Sequence, residues 1–123
     1  MRFRPRLDAT QTEVVEALRG AGASAYSLAA IGGGFPDLLV GDGGEDRLAE
    51  CKNPKRNRSS HDKAILERQE RWRERWRGRA PVTLRSGPEA LAWLAAWRAE
   101  RAARPTPHAA ELGPLLEPVS PLP

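Results

Sequence analysis

Gly32-Gly33-Gly34-Phe35-Pro36-Asp37-Leu38-Leu39-Val40-Gly41-Asp42-Gly43-Gly44-Glu45-Asp46-Arg47-Leu48-Ala49-Glu50-Cys51-Lys52 is the stretch whose reading decides the fold. An apolar run, Leu38-Leu39-Val40, is followed by turn residues and then by a second run over 47–52, the pattern of two short strands joined as a hairpin. Alternate residues of a strand lie on opposite faces, so a slip of one residue reverses every assignment. Pairing Gly41 with Asp46 sets Leu39 opposite Leu48 and Asp37 opposite Glu50 on one side, with Lys52 following on that side. A shift by one destroys this pattern.

In that register two carboxylates stand across from one another, with Cβ atoms roughly 4.5–5.5 Å apart, where like charges destabilise a sheet unless something offsets them. A divalent cation offsets them. Mg²⁺ takes oxygen ligands, commonly one or two carboxylates with water and substrate phosphate, so Asp37 and Glu50 have the chemistry of a phosphate-cutting site. Lys52 adds a cation beside the ion.

Pro36-Asp37, a gap of twelve residues, and Glu50-Cys51-Lys52 together resemble the PD-(D/E)xK nuclease signature. The segments 34–40 and 48–52 are similar to its small phage-type and VRR-NUC branch. The resemblance covers about residues 8–97, within a single domain expected over residues 8–102. It implies an α/β fold with a restriction-endonuclease-like core (helix, three-stranded meander, helix, strand) followed by a C-terminal helix. It also implies a Mg²⁺- or Mn²⁺-dependent endodeoxyribonuclease: Asp37, Glu50 and the Cys51 backbone carbonyl as metal ligands, Lys52 orienting the attacking water, and Gln69 as the helix-borne glutamine near the site. The products would carry 5′-phosphate and 3′-hydroxyl ends. Holliday junctions and flapped or branched DNA are the substrates such relatives suggest, with general nicking as the alternative.

Length admits one domain and a tail, and no stretch is apolar and long enough to span a bilayer. Residues 1–7 form a basic N-terminus without the apolar segment of a signal peptide, so a cytoplasmic protein is expected, plausibly phage- or prophage-encoded in a bacterial host. Cys51 is the single cysteine, which excludes an intrachain disulfide and a thiolate cluster, and its alternation with Glu50 points it toward the core. The net charge of +4 is unevenly spread, with twelve Lys/Arg against four Asp/Glu between residues 52 and 85. This stripe fits a nucleic-acid footprint, while a solvated helix face explains a charge run equally simply.

Thr10-Gln11-Thr12-Glu13 fits a capping box, followed by a first helix that Gly20 and Gly22 end. Glu13 has two uses open to it, as the capping carboxylate or, by the resemblance, as an acid approaching the metal. Residues 25–31 read as a strand beside the hairpin. Gly33 and Gly34 either let the chain approach DNA phosphates or make a turn. The basic loop 53–60 supplies Lys55, Arg56 and Arg58 as phosphate contacts, joined by Lys63.

A second helix over 61–77 carries Ile65, Gln69, Trp72 and Trp76 on one stripe facing the sheet. Gln69 there serves the site or satisfies a buried backbone group. The two tryptophans read as core, with a stacking platform for unpaired bases as the lesser alternative. Residues 81–85 read as a further strand, Ser86-Gly87-Pro88-Glu89 as a capping box, and Ala90, Trp93, Leu94 and Trp97 as the apolar stripe of a third helix. Residues 103–123 form a Pro-rich tail.

A chain with one site cuts both strands of a duplex only as a dimer or by successive nicks, so a homodimer on branched DNA is expected. Two other classes stay open: a DNA-binding module without catalysis, and an interaction protein working through the tail.

Overall fold

The structure, a computed structural model, describes residues 9–54 and 60–105, the side chains of 60–62 excepted. The elements run α1 (Ala9–Gly20), β1 (Ser24–Ser27), β2 (Leu38–Asp42), β3 (Glu45–Cys51), α2 (Ser60–Arg75), β4 (Val82–Leu84) and α3 (Gly87–Ala103). They make a mixed α/β architecture, a single sheet of order β1-β2-β3-β4 in which the first three strands are antiparallel and β4 runs parallel to β3.

The hairpin register follows from side-chain alternation as expected. Gly41 pairs with Asp46 and Leu39 with Leu48, and Gly43 and Gly44 turn the chain with positive φ at both positions. Leu38, Val40 and Ala49 therefore share one face, where α1 and α3 cover them with Val14, Leu18, Ala90, Leu94 and Trp97. Glu50 points to the opposite face.

Ser86 caps α3 as its sequence implies, its Oγ accepting the Glu89 N–H at 3.1 Å. The last turns of α3 clamp the hairpin tip. Arg98 and Arg101 both bond Asp42, and the Trp97 indole donates to Glu45 at 3.0 Å. Arg104, just past the helix, also pairs with Glu45, so residues 103 and 104 belong to the folded unit and not to the tail. The rest of that tail, the N-terminal arm and the loop arginines lie outside the described residues.

Three expectations are corrected. Thr10 is buried inside the first turn of a helix that already includes Ala9, so it is not the cap. The first strand ends at Ser27: Leu28 N–H still donates across the sheet to the Asp37 carbonyl, and the Ile31 N–H donating to the Leu28 carbonyl then turns the chain. Trp72 and Trp76 lie outside the hydrophobic core, stacked on each other at 4.8 Å with Phe35 edge-on to Trp72 at 5.1 Å.

Candidate functional site

The site is built where β2 begins and β3 ends. Asp37 immediately precedes β2, and its carboxylate is fixed by the sheet itself: the Cys51 backbone N–H donates to Asp37 Oδ2 at 2.7 Å. A strand residue sends its N–H and C=O to the same neighbour, so the Cys51 carbonyl also faces the β2 side on which Asp37 lies. Its side chain packs against the core, as alternation requires.

Glu50 is 1 % exposed, an ionisable group on the face away from the core. Its Oε2 accepts from Arg73 of α2, while Oε1 is buried with no hydrogen-bond partner among the described residues. Burial pushes the Glu50 carboxyl above its usual range, against the opposing charge of Arg73; Asp37 raises it further and Lys52 opposes. Glu50 thus feels both Asp37 and Lys52, and the backbone of Lys52 is held by its own N–H donating to the Leu84 carbonyl of β4 at 3.0 Å.

Gln69 comes to the same place from α2. With Asp37, Ile65, Arg68 and the glycine loop it lines an open groove of about 230 Å³. Gly34, at φ +83°, permits this approach, since a Cβ there would overlap the Arg68 carbonyl. The absence of a side chain at Gly34 is therefore used inside the protein, against α2, and Gly34 also borders the groove. Gly33 stays exposed and borders the groove, and Lys63 is exposed on α2.

Glu13 is not brought to the pair. Its carboxylate lies against Gly87 at the start of α3, where a Cβ on that glycine would stand 3.1 Å from Glu13 Oε1, in the helical layer on the other side of the sheet. Among the described residues no three His, Cys, Asp or Glu side chains converge on one point. The acidic centre is a pair. Lys55, Arg56 and Arg58 lie outside the described residues.

Arg73 was missed in the sequence. The signal was its place four residues after Gln69, on a stripe otherwise read as apolar, but nothing local says which acid it meets.

The donor set nonetheless suits a hard cation. Two carboxylates and a carbonyl supply oxygen ligands, and the orphaned Glu50 Oε1 is a buried acceptor lacking a counterpart. Among the described residues no helix is long and apolar enough to cross a membrane. No family model, curated protein or solved structure matches the chain.

Proposed function

We propose that the chain is a metal-dependent DNA endonuclease of the PD-(D/E)xK type on a restriction-endonuclease-like core, hydrolysing phosphodiester bonds in branched or otherwise structured DNA, with a homodimer as its working form. One observation carries this reading: Asp37, pinned by the Cys51 N–H, and Glu50, with one buried oxygen unpaired, meet beside Lys52. The element order supports it too, since a helix, three antiparallel strands, a helix and a strand are what that core requires.

Asp37, Glu50 and the Cys51 carbonyl would hold Mg²⁺ or Mn²⁺. When bound, the ion would polarise the scissile phosphate and lower the pKa of an attacking water. The Cys51 N–H keeps the Asp37 carboxylate in one orientation, so little reorganisation remains at the moment of reaction. Lys52 supplies a positive charge where negative charge develops. The Gln69 amide, in the groove with Asp37, holds water or a phosphate oxygen by hydrogen bonds.

A second reading has its own support. Arg73 already neutralises Glu50 within the chain, as it would in a DNA-binding module without catalysis. Incubating the protein with linear, flapped and four-way DNA, with and without Mg²⁺ or Mn²⁺, separates the two. The nuclease gives metal-dependent product that Asp37→Ala and Lys52→Ala abolish while the circular-dichroism spectrum is unchanged. The module gives salt-sensitive binding indifferent to EDTA, and no product.

A further inference from the structure

The two tryptophans expected in the core form instead one wall of a second groove. Trp72 and Trp76 stack with rings 20° apart, and Trp76 is 40 % exposed. The Trp76 indole N–H is bound to the Arg79 carbonyl at 3.0 Å, which fixes the ring. The groove is also cationic. Arg68, Arg71 and Arg75 line the groove of about 360 Å³ together with Gly33 and the indoles, and no carboxylate borders it.

Arg47, Arg73, Arg98 and Arg101 each hold a carboxylate, whereas Arg68, Arg71 and Arg75 pair with none among the described residues. Their spacing, i, i+3 and i+7, places three guanidinium groups along one side of α2 with the indoles at i+4 and i+8 beside them. Gly33 and Arg68 border this groove and also the one that Asp37 lines, so the two adjoin.

A row of cations next to flat aromatic faces is complementary to a strand whose phosphates and base faces are both available. Duplex DNA offers the phosphates but keeps its bases stacked on each other. We infer that the groove of Arg68, Arg71, Trp72, Arg75 and Trp76 receives an unpaired segment of DNA, its bases stacking on the indoles and its phosphates on the arginines. The inference rests on the nuclease reading for its purpose, naming as substrate a DNA with a single-stranded flank leading to Asp37; the groove's binding stands apart from cleavage.

The test uses the whole chain in EDTA, where no cleavage occurs. Titration with a short oligo(dT) strand is expected to quench tryptophan fluorescence. In Trp72→Phe/Trp76→Phe, which keeps rings against Phe35, that quenching is lost and binding weakens. In Trp76→Ala the dissociation constant rises roughly fivefold to a hundredfold. Arg71→Ala/Arg75→Ala lowers the salt slope of log K by roughly 1.4, about 0.7 for each single-strand phosphate contact removed.

Unchanged quenching in the double Phe variant, equal binding of a blunt duplex, or competition by polyglutamate as effective as by oligo(dT) would each overturn the inference. Oligo(dT) binding intact in EDTA with no product in Mg²⁺ would sink the nuclease reading alone. Metal-dependent cleavage without oligo(dT) binding would sink this one alone.

Discussion

The guanidinium of Arg73 on α2 closes over the carboxylate of Glu50 on β3, joining the helix that carries Gln69 to the strand that carries one acid of the pair. The arrangement is asymmetric. Glu50 is 1 % exposed in its side chain and Arg73 is 40 % exposed, so the acid bears the cost of burial while its partner remains half in water. Arg73 can leave without stranding its charge; Glu50 cannot.

Glu50→Gln should therefore stabilise the fold while removing the proposed cleavage. The substitution keeps the shape, deletes a buried charge next to Asp37, and releases Arg73 to solvent, so unfolding at neutral pH should become harder by about 1 kcal/mol. Urea denaturation of the two proteins in EDTA measures it. A Gln variant clearly less stable than the parent would mean that the ion pair holds α2 in place.

Arg73→Ala should do the reverse. Without metal the variant leaves Glu50 buried without its counter-charge, to stay ionised or take up a proton, at a cost of about 3–5 kcal/mol. Millimolar Mn²⁺ should then raise its melting temperature more than that of the parent, because a ligand that binds only the folded state stabilises by mass action and its competitor is gone. Asp37→Asn should show no such rise. Equal responses in all three would separate the metal from this pair.

Much of this was readable in the chain, for identifiable reasons. The hairpin register was legible because Leu38 and Val40 alternate with Leu39, and only one pairing keeps Ala49 with them on the core face. The Ser86 cap was legible because its chemistry is local. Helix periodicity put Ile65, Gln69, Trp72 and Trp76 on one stripe facing the sheet, but a stripe says nothing about what it meets: none of the four joins the core, and Trp72 meets Phe35 of the glycine loop. Glu13 was placed by motif, whereas the packing of α1 against α3 turns it toward Gly87. The partners of Arg73, Arg98 and Arg101 are tertiary, and no local pattern specifies them.

Gly34→Ala should loosen α2 without unfolding the sheet. At φ +83° the new side chain is strained, and its Cβ would collide with the Arg68 carbonyl, a backbone atom that moves only if the helix does. A loss of about 2–3 kcal/mol is expected, with the near-ultraviolet signal of the Trp72–Trp76 stack altered and the strand content of the far-ultraviolet spectrum retained. An unchanged tryptophan signal would show that the loop, not α2, absorbs the clash.

Acid should weaken the clamp at the hairpin tip through Asp42. Its carboxylate accepts from Arg98 at 2.9 and 3.1 Å and from Arg101 at 2.6 Å, and hydrogen bonds from Arg98 and then Arg101 hold its pKa down from 3.8 to about 2. A depressed folded pKa means that the unfolded chain takes up the proton first, so the stabilisation is present above about pH 4 and disappears as pH falls toward about 2. The shift corresponds to about 2 kcal/mol, trimmed toward 1 by solvent and salt around the half-exposed arginines. Asp42→Asn should lose about that much at pH 7, measured by urea midpoints, and the gap between variant and parent should close through the acid window. A gap as wide near pH 2 as at neutrality would place the clamp's strength in packing against α3 and not in the charge of Asp42.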